Sequence, residues 1–285
     1  MDPWLADVRG HVEAVAPDLL WLFDIYSGEA AFGRRLVDTD LARLPAGAEL
    51  LEIGAGSMLL SCQLVREGYA VTALEPTGSG FSHFERLREM VLARASALGC
   101  TPRILDQPVE SLDASGRFGY AFSINVMEHV ERVDVALRRV GISLQPGAVY
   151  RFFCPNYLFP YEPHFNMPTL FFKRLTGWVL RERILGCTHM PDPAGTWRSL
   201  NWINVSQIRR VVRQVPGLRV EFDRTQLVST LERMVSDPGF AARRSPLLRG
   251  VLGWLVRHGL HRLFALVPVI AQPIIDCRLT RSAQA

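Results

Sequence analysis

A chain of 285 residues with 48% apolar side chains is long enough to bury one large core carrying insertions, or a core with a small cap. Its net charge of +4 is uneven: residues 240–285 hold seven Arg against Asp276 alone, so this end is +6 and the remainder −2, which suggests an acidic partner such as anionic lipid or nucleic acid. Met1 is followed by Asp2 and Asp7 and by no apolar leader, and no run of about 18 uncharged apolar residues occurs, so neither export nor a spanning helix is expected and the site of action is cytoplasmic. Cys62, Cys100, Cys154, Cys187 and Cys277 lack CxxC spacing, which argues against a disulfide framework, and Cys187-Thr188-His189 lacks the further ligands a zinc site needs.

Residues 1–45 carry apolar side chains at helical spacing (Trp4, Val8, Val12; Leu19, Leu22, Phe23; Leu36, Val37, Leu41) and predict two or three helices with a break around Tyr26. From Glu49 to Glu75 the pattern is strand (Leu50, Leu51, Ile53), glycine turn (Gly54, Ala55, Gly56), helix (Leu59, Leu60, Leu64, Val65) and strand (Ala70 to Leu74) ending in Glu75. Glycines at such a turn let backbone N–H groups approach a ligand at the helix N-terminus, and a carboxylate at the tip of the next strand can accept hydrogen bonds from ribose hydroxyls. The sixth position of GAGSML is Leu59, which fits a nicotinamide dinucleotide poorly and points to another adenosine ligand.

A turn over 76–80, a helix over about 84–98 and a strand over 101–105 follow. Phe118 to Ile124 is a strand, 133–144 a helix stopped by Gln145-Pro146-Gly147, and Ala148 to Cys154 a fifth strand. This alternation requires an α/β sheet covered by helices.

Taken in order, these motifs resemble the class I S-adenosylmethionine-dependent methyltransferases. Glu52-Ile53-Gly54-Ala55-Gly56 stands for the family's acidic residue and glycine turn, and Asn125-Val126-Met127-Glu128-His129-Val130 for its Glu-His-Val segment after the fourth strand. Met58 and Gly119 depart from the family's third glycine and aspartate, and the resemblance covers residues 48–156. It implies a Rossmann-like, mostly parallel sheet of seven strands with the last antiparallel, N-terminal helices, and helical insertions after strands 5 and 6. The implied division is a helical cap (1–45), a core (46–224) with an acceptor-loop insertion at about 155–203, and a helical insertion with the final strand (225–285). It also implies S-adenosylmethionine as methyl donor and S-adenosylhomocysteine as product. Glu52 and the backbone of Gly54, Ala55 and Gly56 would lie by the methionine part, Glu75 on the ribose, Asp106 and Val109 at the adenine, and Asn125 along the cofactor edge, with Tyr26 as a lid residue. Relatives that methylate polyprenylated catechols hold a divalent metal with the Glu and His of this segment and an acid three residues earlier; Asn125 occupies that place, so no metal is expected.

Ligands of open α/β sheets bind beyond the carboxyl ends of the strands, where the proline-rich loop 154–165 should lie. Tyr157, Tyr161 and Glu162 are its acceptor-binding candidates, and His164 joins His129 as a candidate base because imidazole titrates nearest neutral pH. A helix over 168–185, a loop over 187–203 covering the acceptor, a helix over 205–215, a strand over 218–222 and a last strand over 274–280 complete the chain. Within 246–267 an apolar stripe (Val251, Leu252, Leu255, Leu260, Leu263) with Trp254, Arg249, Arg257 and Arg262 predicts a basic amphipathic helix, which packs on the core or lies on an anionic membrane surface. The expected activity is O-methylation of a small-molecule or lipid-linked acceptor. The N/D-P-P-Y/W motif of adenine and glutamine-amide methyltransferases is absent after the fourth strand, so methylation of those groups is not expected, and because the arginines cluster on an apolar helix and not in a polar, aromatic-studded groove, no nucleic acid acceptor is expected. The alternatives are a non-catalytic cofactor-binding subunit that keeps the fold, and, for the basic helix, a homodimer contact.

Overall fold

The computed structural model describes residues 1–76, 85–188, 190, 192–236, 241 and 246–283; the expected turn over 76–80, Pro76 apart, and His189 lie outside these. Two helices, α1 (Asp2–Val15) and α2 (Leu20–Leu41), precede the sheet. The break expected around Tyr26 does not occur. Gly33 stays inside α2 at a point where a Cβ would stand 2.5 Å from Ile124, so the glycine lets the helix cross the end of a strand at close range.

Strands β1 (Glu49–Ile53), β2 (Ala70–Leu74), β3 (Arg103–Leu105), β4 (Phe118–Ile124) and β5 (Leu144–Pro155) alternate with α3 (Leu59–Arg66), α4 (Glu85–Ala97) and α5 (Val133–Ser143). A hairpin of β6 (Tyr161–Glu162) and β7 (Met167–Pro168) follows, then α6 (Lys173–Val179), α7 (Arg181–Leu185), α8 (Pro193–Ser199) and α9 (Val205–Arg213). The chain finishes with β8 (Leu218–Phe222), α10 (Gln226–Ser236), α11 (Pro246–Arg257) and β9 (Ile274–Arg281). The seven-stranded sheet has the order β3-β2-β1-β4-β5-β9-β8, with β9 antiparallel to both neighbours and the other pairs parallel.

Side-chain alternation divides the core between the two faces. Leu50, Tyr120 and Phe122 pack with α1 to α4, whereas Leu51, Ala121 and Phe152 pack with α5 and α9. Each such buried large side chain stabilises the fold by about 1.5–3 kcal/mol relative to an exposed one. A buried polar network also fixes α2 to the sheet. Arg151 of β5 donates to both carboxylate oxygens of Asp276 of β9 (2.9 and 2.6 Å), to Asp40 of α2 (3.1 Å) and to the Leu36 carbonyl, while Arg278 and the Tyr120 hydroxyl also bond Asp40.

Several boundaries differ from expectation. The Pro146-Gly147 stop lies inside β5, because the ladder with β4 shifts register between Phe118 and Tyr120 and accommodates the extra residues as a bulge, with Gly147 at φ +82°. The expected helix over 168–185 is two short helices after a hairpin strand. The expected loop over 187–203 contains α8, opened by Pro193 and capped by the Asp192 carboxylate, which accepts from Gly195 N–H at 2.8 Å. The basic helix stops at Arg257, since Gly259 turns left-handed (φ +71°) into a 3-10 turn over Leu260–Leu266.

Candidate active site

The carboxyl ends of β1 and β2 carry the first group of residues. Gly54 and Gly56 have φ of +71° and +50°, and Met58, at the start of α3, takes +66° despite its side chain. A Cβ on Gly54 would collide with Val126, so that glycine serves the packing of the turn on the loop after β4. A Cβ on Gly56 would meet nothing within 4 Å, which leaves open space over the turn. Glu75 is buried, and its Oε2 accepts the Gly56 N–H at 2.9 Å. Burial raises the Glu75 pKa, opposed by the Gly56 hydrogen bond and Arg88 and aided by Asp106. Glu52 is buried beneath the turn and takes the Ser61 hydroxyl; burial pushes its pKa up to about 8. Asp106 is exposed near Glu75, Val109 is buried at the start of a 3-10 turn, and Asn125, left-handed at φ +55°, donates its N–H to the Phe153 carbonyl.

A second group forms at the end of β4. Glu128 is fully buried, and neither of its carboxylate oxygens has a hydrogen bond. Burial pushes its pKa up to about 7. His129 Nδ1 lies 2.8 Å from Ser199 Oγ, whose proton goes to the Thr196 carbonyl, so the imidazole donates from Nδ1 and keeps a lone pair on Nε2. Burial, then the charges of His164 and Lys173, lower its pKa to about 3. His164 Nδ1 lies 2.6 Å from Glu162 Oε1, and its Nε2 lies 3.9 Å from Glu128 Oε1. For His164 the cost of burial is outweighed by the Glu162 hydrogen bond and by the charges of Glu162, Glu128 and Glu29, so its pKa is raised.

Glu162 is buried and accepts from three donors, His164 Nδ1, the Tyr157 hydroxyl (3.1 Å) and Phe165 N–H (2.7 Å), while the Tyr157 ring stacks on Trp202 at 4.4 Å. Tyr157 and Glu162 are therefore occupied inside the loop, holding His164, in place of the acceptor contact expected of them. Tyr161 bonds Asn166 within the hairpin. Glu128, His129 and His164 each bring one ligand atom within 4.8 Å of the others, a two-histidine, one-carboxylate donor set of the kind that divalent transition metals take; the resemblance had pointed to Glu128 and His129 as ligands and to Asn125 as the missing third, and His164 comes from a different loop.

A cleft of about 850 Å³ is lined by residues including Glu29, Phe32, Asn125, Phe153, Thr230 and Arg233, a size suited to a small organic ligand; Asn125 joins it to the first group, and Glu128, His129 and His164 are not part of its lining. Its two walls are α2 and α10. Residues 26, 29, 33 and 37 recur on one face of a helix, so the close crossing at Gly33 carries Tyr26 and Glu29 past the end of β4. Burial, then the charges of Glu29 and Glu75, raise the Tyr26 pKa. Sequence reasoning missed Glu29, Ser199 and the α10 wall. Ser199 stands 70 residues from His129 with no local signal, whereas the face 26-29-33 of α2 was readable from helical spacing.

No protein-family model matches the chain. It is 50% identical over 281 residues to an uncharacterised protein of Mycobacterium tuberculosis, covering 99% of this chain and 95% of that one. Over 125 residues it is 34% identical to the ubiquinone biosynthesis O-methyltransferase of Paramagnetospirillum magneticum, covering 42% of this chain and 45% of that one. Among solved structures, the Haemonchus contortus phosphoethanolamine N-methyltransferase 2 in complex with S-adenosyl-L-methionine superposes with a TM-score of 0.50 at 16% identity, covering 91% of this chain and 53% of that one.

Proposed function

Because the chain belongs to the class I S-adenosylmethionine-dependent methyltransferases, we propose that it methylates an oxygen of a small-molecule acceptor held in the cleft between α2 and α10. S-adenosylmethionine supplies an electrophilic methyl group when bound. The first group of residues suits it: Glu75 is a buried carboxylate at the tip of β2, positioned by Gly56 N–H, and the turn beside it leaves open space.

The observation that carries the oxygen reading is the Glu162–His164 pair at the strand edge. An alcohol or phenol must lose its proton as the methyl group arrives. Glu162 fixes the His164 tautomer by accepting from Nδ1, which leaves Nε2 to take that proton. Glu128, 3.9 Å from Nε2, is the neighbour that stabilises the imidazolium so formed. Asn125 and Phe153 line the cleft from the strand ends, and Tyr26 closes the edge between donor and acceptor; shielding this space from water and aligning the two reactants is the main contribution of such a site. The test is incubation with methyl-labelled S-adenosylmethionine and phenolic and aliphatic alcohol acceptors. Label recovered in an ether from the wild type, and sharply reduced with His164→Gln, supports the reading. Label recovered only on nitrogen or carbon refutes it.

A second reading is favoured by the two unbonded oxygens of Glu128: Glu128, His129 and His164 hold a divalent cation that activates the acceptor oxygen as a Lewis acid. Elemental analysis after chelation and reconstitution separates the two. Stoichiometric metal lost in Glu128→Gln favours this reading; full turnover in chelator favours the first.

A further inference from the structure

We propose that the edge of the sheet carrying this site docks on an anionic lipid surface through its two insertions, α6–α7 and α11 with the turn after it. The inference about docking stands on surface chemistry; its corollary, that the acceptor is an amphiphile drawn from that surface, rests on the proposed methyl transfer.

Both insertions rise from the carboxyl edge. Pro155, the last residue of β5, pairs with Ile274, the first of β9, so the segment after β5 and the segment before β9 meet there. Asn156 ties them: its N–H donates to the Pro273 carbonyl, and its Nδ2 donates to the carbonyls of Val269, Ile270 and Gln272. Their outer surfaces are unusually apolar for exposed protein. In the first insertion Phe171 is 87% exposed and Trp178 78%; in the second Leu247 is 80% and Leu266 75% exposed, and Val251, Trp254 and Leu263 are exposed as well. Pro246, Leu247, Gly250, Val251 and Trp254 line a shallow groove there. Phe171 holds a left-handed backbone, φ +44°, a conformation that costs energy in a residue with a side chain, with its ring still in solvent.

Charge selects the occupant. Residues 246–273 contain three Arg and no Asp or Glu. Arg249, Arg257 and Arg262 are exposed, and none of their guanidinium groups has a hydrogen bond or ion pair among the described residues. The other insertion adds exposed Arg174 and Arg181 around Phe172 and Trp178. A second copy meeting α11 face to face would oppose these arginines with arginines. Nucleic acid would meet the charge and leave the leucines and tryptophans in water. An anionic bilayer surface satisfies both, with arginines at the headgroups and Trp, Phe and Leu at the acyl boundary. No helix of the described residues is long and apolar enough to cross a membrane, so the contact is at the surface. α10 packs against α11 on one side and lines the cleft, which places the mouth of the cleft by the docked surface.

The test is flotation of the full chain with vesicles of phosphatidylcholine alone and of phosphatidylcholine with phosphatidylglycerol. Binding is expected only with phosphatidylglycerol and should fall as salt is added. Replacing Arg249, Arg257 and Arg262 together with Gln should weaken it about fivefold per residue, roughly 10²-fold in all. Trp178→Ser with Trp254→Ser should also release the protein, and S-adenosylhomocysteine binding, which reports the active site independently, should be unchanged in both variants. The proposal is overturned if the wild type does not float at low salt, or if the Trp changes leave binding intact, which would mean charge attraction alone. It is equally overturned if sedimentation shows a dimer that dissociates on replacing Trp254. If docking holds while methyl transfer fails, only the corollary about the acceptor falls.

Discussion

Replacing Glu162 with Gln should separate the role of the His164 partner from that of the donor site. The carboxylate is fully buried and satisfies three donors through two oxygens: Oε1 takes His164 Nδ1 and the Tyr157 hydroxyl, and Oε2 takes Phe165 N–H. Glutamine has the same shape and only one accepting oxygen. With that oxygen toward His164 and Tyr157, its NH₂ faces Phe165 N–H and one buried donor goes unsatisfied, costing about 1–3 kcal/mol. The lost negative charge also removes the largest influence raising the His164 pKa, while burial, which lowers it, remains. A neutral His164 is the active base, so wild-type turnover falls as pH drops through its raised pKa, and in Glu162→Gln this acid limb should move to lower pH. Loss of orientation should also reduce kcat by about 10- to 10²-fold. Chemical denaturation, pH-rate profiles and titration with S-adenosylhomocysteine read the three effects. An unmoved acid limb in a destabilised variant would reduce Glu162 to a packing residue, and weakened cofactor affinity would show that the two groups are not separate.

Three further changes test the frame around the site. Burial raises the Glu52 pKa to about 8 from 4.5, so its contribution to stability is present below the lower value and is lost as pH rises through the upper one; Glu52→Gln, which keeps a neutral acceptor for Ser61, should be the more stable protein by about 1–3 kcal/mol near pH 9. Equal denaturation curves at that pH would contradict a buried, protonated Glu52. Asp40→Ala leaves Arg278 and part of Arg151 uncompensated in a buried network and should destabilise by about 3 kcal/mol; a change below about 1 kcal/mol in chemical denaturation would mean that α2 is held by apolar packing alone. Gly54→Ala meets Val126 and a positive φ and should lose about 1–3 kcal/mol of stability. A thermally unaltered variant would show that the turn relaxes freely.

The fold was legible where chemistry is local. Leu50 to Ile53, the glycine turn and the helical spacing from Leu59 define β1, the turn and α3, and the order of motifs carried the sheet topology that the order β3-β2-β1-β4-β5-β9-β8 bears out. Local signals also existed where they were misread: Asp192-Pro193 is a helix start, and Gly259 a helix stop. The bulge in β5 was not legible, because Pro146-Gly147 ends most strands and helices, and only pairing with β4 absorbs it. The site divides in the same way. Its glycine turn and terminal carboxylate announce themselves, whereas the burial of Glu128, the three donors on Glu162 and the Ser199 partner of His129 depend on contacts between distant segments. Arg151, Asp276 and Asp40 left a clue, since ionisable residues inside apolar runs are rarely buried without a partner. The partner itself could be found only in three dimensions.

Calorimetric titration of S-adenosylhomocysteine into the wild type and Glu75→Ala tests the central claim most directly. One saturable site per chain in the wild type, weakened by about 1.5–3 kcal/mol in Glu75→Ala through loss of charge-assisted hydrogen bonds, is the predicted result. No binding to the wild type, or equal affinity in the two proteins, would contradict the assignment of the turn between β1 and α3 and the tip of β2 as the methyl-donor site.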